Sequence, residues 1–166
     1  MKFLLAQINP VVGDLEGNAK KILCTASKAS SNSADLVLTP ELSLWGYPAN
    51  DLLLKKNLIK NQYQILDQLA LDIYKKHGNL SITVGIAEII NDSFFPNLYN
   101  SIALLERGEW KIIARKIILP TYEVFDEKRY FRSEEKVSVL TKEINNKTWR
   151  LGFTICEDLW VNKNIE

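Results

Sequence analysis

Apolar positions recur along this chain with two periods, and the changes between them outline its elements. Lys2 to Asn9 is a short apolar run closed by Pro10 and Gly13, which predicts a buried first strand. Asp14 is placed to cap a helix from Leu15 to about Ser30, with Ala19, Ile22, Leu23 and Ala26 on one face. Cys24 is assigned to that apolar face as a packing residue. Asp35 to Leu38 is a second short strand, ended by Thr39-Pro40, and Leu42 to Asp51 is loop-like, punctuated by Gly46 and Pro48. Helical spacing returns from Asn57 to Lys76 through Ile59, Tyr63, Leu66, Leu69, Ala70 and Ile73, and His77-Gly78 stops it. Strands then follow at Ser81–Ile89, Tyr99–Glu106, Trp110–Ile117, Val137–Thr141 and Thr148–Ile155, with turns at Arg107-Gly108 and Asn145-Asn146. Strand and helix alternate first and strands dominate later, which predicts an α/β fold with sheet covered by helices on one side.

Composition changes this picture little. The chain has 166 residues, about one domain's worth. Hydrophobic residues make up 46%, enough for a core and against disorder. A formal charge of +1 predicts neither a nucleic-acid nor a membrane partner. The N-terminal apolar run is interrupted by Gln7 and Asn9, unlike a signal peptide. No apolar stretch approaches the roughly 18 residues that span a bilayer. Two cysteines far apart in sequence make no disulfide framework and predict a reducing, cytoplasmic setting with free thiols.

Three positions stand out chemically. Cys156 follows the apolar strand LGFTI and precedes Glu157-Asp158, so a sharp strand-to-helix turn would expose its sulfur, with nearby amides favouring a thiolate. Position alone favours a buried packing cysteine at the end of a core strand. Glu41 comes right after the strand DLVLTP, where an acid often faces a cleft, although taken alone it reads better as a solvated loop carboxylate. In WKIIARKIILP, alternation puts Ile112, Ala114 and Lys116 on one face and Ile113, Arg115 and Ile117 on the other. A lysine among apolar neighbours is either snorkelling or held for a purpose. Together a carboxylate, an ammonium and a thiol supply a base, an oxyanion partner and a nucleophile without metal. The single histidine, His77, ends a polar helix and is poorly placed for a Cys–His pair. There is no zinc-ligand spacing and no glycine-rich phosphate loop.

These segments resemble the nitrilase, or carbon–nitrogen hydrolase, superfamily, whose members use a Glu–Lys–Cys triad in that order. LTPELSLWGYP surrounds Glu41, ARKIILP surrounds Lys116, GFTICEDLW surrounds Cys156, and AQINPVVGDLEGN matches the first strand and helix start. Within it, GYPANDLLL, KIILPTYEVFDEKRYF and ICEDLW resemble the glutaminase domains of glutamine-dependent NAD synthetases. Glu123 departs from that branch, where a small residue is expected.

The resemblance implies a four-layer α-β-β-α sandwich, and it implies roles. Cys156 attacks the side-chain amide of L-glutamine, Glu41 moves protons, and Lys116 stabilises the oxyanion. Glu127 positions lysine and substrate, Tyr122 contacts substrate, and Glu157 is placed to hold the substrate amino group, or else simply to suit a helix N-terminus. Ammonia would feed an ATP- and Mg-dependent synthetase domain that amidates nicotinic acid adenine dinucleotide. No cofactor is implied for residues 1–166 themselves, which are expected to be a C-terminally incomplete part of one hydrolase domain. Such a piece would expose sheet edges and fold poorly or be inactive alone, whereas the complete protein would be a homo-oligomer. Two other readings stay open: a free-standing amidase acting on another small amide, and a truncated, non-catalytic interaction protein.

Overall fold

The computed structural model describes residues 1–92, 94–144 and 146–160. Its elements run β1 (Phe3–Leu5), α1 (Leu15–Ser31), β2 (Leu36–Leu38), α2 (Lys56–His77), β3 (Ser81–Ile89), β4 (Leu98–Glu106), β5 (Glu109–Arg115), β6 (Ser138–Ile144) and β7 (Lys147–Phe153). Five strands form one sheet in the order β1-β2-β3-β4-β5, and β6-β7 form a separate hairpin. β1, β2 and β3 pair parallel, each step crossing over through a helix, while β3, β4 and β5 pair antiparallel.

Local chemistry sets the helix ends. The Asp14 side chain accepts the Gly17 N–H at 2.9 Å and starts α1. Gly78, at φ 60°, closes α2 by donating to the Tyr74 carbonyl at 2.9 Å. Ile22, Ala26 and Ala29 of α1 join Leu66, Leu69, Ala70 and Ile73 of α2 in a core with Val37, Ile82, Val84 and Ile86 of the sheet. Each large side chain buried there is worth about 1.5–3 kcal/mol. Cys24 does not belong to this face. It is exposed, because two residues turn a helix by about 200° and carry it away from buried Ile22 and Ala26.

β1 is shorter and more open than expected. Only Phe3–Leu5 pairs, and Phe3 and Leu5 are exposed. As the edge strand it buries Leu4 toward the helices, while Phe3 and Leu5 line an open groove with Leu151 and Phe153. The segment from Leu42 is irregular as expected, but it is not a surface loop: Leu42, Leu44 and Trp45 are buried, and the Trp45 indole donates to Gln62.

The hairpin covers the sheet face away from the helices. Lys142 Nζ reaches Ser81 Oγ at 2.9 Å, and Ser81 alternates with the helix-facing Ile82. Helices, sheet and second sheet therefore give an α-β-β succession among the described residues. Asn146 takes φ 58°, as a tight turn asks, whereas Asn145 lies outside the described residues. Past Cys156 a short 3-10 turn covers Cys156–Leu159, and the helix expected there lies beyond what is described. No described helix is long and apolar enough to cross a membrane.

Candidate active site

The hairpin-side face is where the polar residues converge, and a bulge in β5 puts Lys116 there. Ala114 pairs with Ile102, but Ile112 pairs with the next residue of β4, Ala103. Directly paired residues share a face and successive ones alternate, so Ile112 and Ala114 face opposite ways. This corrects the simple alternation expected across WKIIARKIILP. Ile112 packs against the helix-side core, while Ala114 and Lys116 turn toward the hairpin side. The extra residue, Ile113, makes that switch possible. Beyond β5 the Lys116 N–H still donates to the Asn100 carbonyl at 2.8 Å, extending the register by one bond.

Lys116 is completely buried, and its ammonium is held between two carboxylates. Nζ lies 2.7 Å from Glu41 Oε1 and 2.8 Å from Glu127 Oε1. Burial works against the charged lysine, but Glu41 and Glu127 outweigh it and push its pKa above the ordinary range. Burial raises the Glu127 pKa, and Lys116 and Tyr47 only partly offset this. The Tyr47 hydroxyl donates to Glu127 Oε1 at 2.7 Å, and burial beside that carboxylate drives the phenol far upward.

Glu41 sits on a tightly built turn after β2. Thr39 Oγ1 donates to the Thr83 carbonyl at 2.8 Å and lies 2.7 Å from Ser43 Oγ. Ser43 Oγ in turn accepts the Gly85 N–H at 3.0 Å. The turn crosses β3 so closely that a Cβ on Gly85 would stand 2.3 Å from the Leu42 nitrogen, so glycine is required there. Asn100 Nδ2 donates to Glu41 Oε1 at 2.7 Å. With Lys116 on the same oxygen, the second oxygen of Glu41 is left for another partner.

Cys156 faces the same site. It lines one cavity of about 100 Å³ with Glu41, Thr83, Asn100, Ser101 and Ile155. Burial first, then the Glu41 charge, push the thiol pKa up, and Lys116 pulls the other way. Burial and the Glu41 charge thus work against the thiolate that helix amides would favour. A thiol beside a carboxylate is an arrangement suited to proton transfer as the sulfur attacks. Cys156 itself has φ 48°, a strained turn position that lifts the side chain out of the line of β7.

The outer residues are arranged more loosely. Tyr122 is half-exposed, packs edge-on to Phe125, and donates to Glu157 Oε2 at 2.9 Å. Glu123 takes φ 53° and points to solvent. His77 lies apart, 3.3 Å from Ser27 on α1. Tyr47 and Asn100 were not singled out from the sequence. GYP after Glu41 marked a turn and gave no hint that its tyrosine reaches a carboxylate eighty residues away. Among the described residues, Asn100 Oδ1 and Glu127 Oε2 are buried without a hydrogen-bond partner.

Residues 5–165 match the family described as Carbon-nitrogen hydrolase. The chain belongs to the carbon–nitrogen hydrolase family. Among relatives of this hydrolase, the glutamine-dependent NAD(+) synthetase of Synechocystis sp. is 41% identical over 159 residues, covering 94% of this chain and 27% of the relative. That of Thermotoga maritima is 39% identical, covering 96% of this chain and 26% of the relative. The structure of the glutamine-dependent NAD+ synthetase from Acinetobacter baumannii, in complex with ADP, superposes with a TM-score of 0.79 at 36% identity, over 95% of this chain and 28% of that one. An amidase from Nesterenkonia sp. AN1, with the acetamide moiety of fluoroacetamide added covalently at its active-site cysteine, matches at TM-score 0.72 and 22% identity, over 95% of this chain and 56% of the amidase. That likeness speaks for the fold alone. This hydrolase chain spans about a quarter of the length of the curated relatives it matches.

Proposed function

We propose that this hydrolase chain cleaves the side-chain amide of glutamine through a cysteine thioester. The observation that carries the reading is the convergence of Glu41 and Cys156 on one small cavity, with the buried Lys116 ammonium bonded to Glu41.

In this reading the Cys156 thiol gives its proton to Glu41 as its sulfur bonds to the amide carbon. The carbonyl oxygen becomes an oxyanion beside Lys116, in a site where a fixed cation is worth far more than in water. Glu41 returns the proton to the departing nitrogen, the carbon–nitrogen bond breaks, and ammonia leaves a glutamyl thioester. Water then gives Glu41 a proton as it attacks, and sulfur leaves with that proton as glutamate is released. Glu127 keeps Lys116 charged and in place, and Tyr47 fixes Glu127. Glu157 and Tyr122, bonded to each other at the rim, are placed for the amino end of the substrate. A cavity of about 100 Å³ suits a carboxamide head and is small against the roughly 300–1,000 Å³ of sites for larger ligands.

Likeness to the synthetases supports glutamine as the amide and a further use for the ammonia: ATP-dependent amidation of nicotinic acid adenine dinucleotide. That step would belong to sequence outside this chain. Among the described residues no three His, Cys, Asp or Glu side chains gather as a metal site requires, and no step here is routed through ATP or Mg. The test is release of glutamate and ammonia from glutamine by the purified protein, with a glutamyl adduct on Cys156 trapped by acid quench. Release with no adduct on Cys156, or faster cleavage of a short aliphatic amide than of glutamine, would overturn the reading.

A further inference from the structure

We propose that Asp158 is a positioning residue that ties the turn bearing Cys156 to the segment leaving Lys116, and thereby sets the distance from thiol to ammonium. The proposal rests on the amidase reading above.

The tether is a single half-buried carboxylate shared by three backbone amides. Oδ1 accepts the Ile117 N–H at 3.1 Å and the Ile118 N–H at 2.8 Å. Oδ2 accepts the Ile155 N–H at 2.9 Å. Ile155 directly precedes Cys156, and Ile117 directly follows Lys116. The two reactive side chains are thus joined through one side chain across about forty residues of sequence.

Both joined segments need outside support. β5 ends at Arg115, so Ile117 and Ile118 have left the ladder and their amides need another acceptor. β7 ends at Phe153, and Cys156 sits at φ 48°, a strained conformation that persists only when its surroundings hold it. A carboxylate accepting backbone amides makes stronger bonds than a neutral acceptor. Besides Asp158, the Tyr122–Glu157 bond links these segments among the described residues, and it lies at the half-exposed rim. An acid that served only the start of the 3-10 turn would need Ile155 alone. The two bonds of Oδ1 across to Ile117 and Ile118 are what a local cap does not explain.

Two variants separate tether from cap. Asp158→Asn is isosteric, but its amide group must face one of the donors it replaces. Asp158→Ser keeps reach to Ile155 and loses Ile117 and Ile118. Each is made in the full chain and checked for fold by circular dichroism and melting. The first readout is protection of Cys156 from iodoacetamide by butyraldehyde. Sulfur adds to the aldehyde carbon, the thiol proton passes to Glu41, and the resulting oxyanion needs Lys116, whereas alkylation alone does not. The protecting concentration is expected to rise about 100-fold in both folded variants, as a displacement near 1 Å costs. The second readout is glutamine turnover, where kcat falls by a similar factor and KM changes little. Unchanged aldehyde protection in either folded variant would overturn the tether. A wild-type protein that hydrolyses no glutamine, yet loses aldehyde protection in these variants, would refute the glutamine reading and keep the tether.

Discussion

On the helix side of the central sheet, Ile82, Val84 and Ile86 of β3 meet the apolar stripes of α1 and α2. On the hairpin side, the alternate residues Thr83 and Gly85 border a cavity with Asn100, Glu41 and Cys156, and Lys116 is buried nearby. One strand thus serves two buried environments through alternate residues. The first gains from every apolar atom removed from water. The second holds an ammonium and two carboxylates out of water, where apolar residues of equal volume would be as stable or more so. The difference teaches where selection for chemistry has acted against packing.

The sharpest way to break this contrast is to remove the sulfur. Cys156→Ala should cut glutamine hydrolysis by at least about 10⁴-fold, as losing a nucleophile that acts with its base does elsewhere. The melting temperature should hardly move, since the residue as a whole is exposed and only its sulfur is partly covered by the cavity. Steady-state glutamate release and a thermal scan on the same sample check both halves. Residual turnover within tenfold of wild type would detach the cavity from the reaction.

Lys116→Met should disturb both chemistry and stability. Losing the oxyanion partner should lower kcat by about 10²–10³-fold. Leaving Glu41 and Glu127 buried without their cation should cost about 3–5 kcal/mol, read from urea unfolding. The helix side should behave otherwise. Ile86→Ala should lose about 2–5 kcal/mol by opening a cavity, yet keep near-normal turnover per folded molecule. Equal losses of turnover in the two variants would erase the distinction between the faces.

The helix side was the more legible in the sequence. Spacing alone outlined α1, α2 and β3, because a stripe of Ile and Leu has a local period that survives without its partners. It failed where a long-range contact decides. The bulge at Ile113 reverses which face Ile112 takes, and nothing in WKIIARK announces it. Cys24 lies off the apolar face despite its apolar character, because its angle on the helix, not its chemistry, decides which side it takes. Glu41, Lys116 and Cys156 were found by motif, but Tyr47, Asn100 and Asp158, which hold the segments around them, bind partners far along the chain.

A titration sharpens the contrast further. The folded pKa values of Cys156 and Lys116 both lie above their ordinary ones. Each group therefore binds its proton more tightly when folded. The stability this gives is complete below the unfolded values, about 8.5 and about 10.4 respectively, and is lost as pH rises through the folded ones. Urea midpoints should fall from about pH 8.5 upward. Cys156→Ala should remove the earlier part of that fall and leave the part beginning at about pH 10, which Lys116 shares with the raised Tyr47 phenol. A stability rising with pH from 8.5 to 10 would mean a sulfur that prefers to be thiolate in the fold, opposite to the charge balance Glu41 imposes.

The smallest effect lies at the rim of the polar face. Leu42, Glu123 and Cys156 all take positive φ, and each coincides with or directly follows a candidate site residue. For Leu42 the strain comes with the turn over Gly85, and for Cys156 with the thiol's direction. Glu123 has no such compensation: its side chain is exposed, and it pairs with nothing among the described residues. Replacing it by glycine removes a left-handed penalty of about 1–2 kcal/mol and adds an unfolded-state entropy of about 0.5–1 kcal/mol. Glu123→Gly should therefore gain about 0.5–1 kcal/mol in urea unfolding, with KM for glutamine unchanged. If KM rises instead, the carboxylate acts on substrate arriving past Tyr122, and its strain belongs with that of Cys156 rather than with an unoptimised loop.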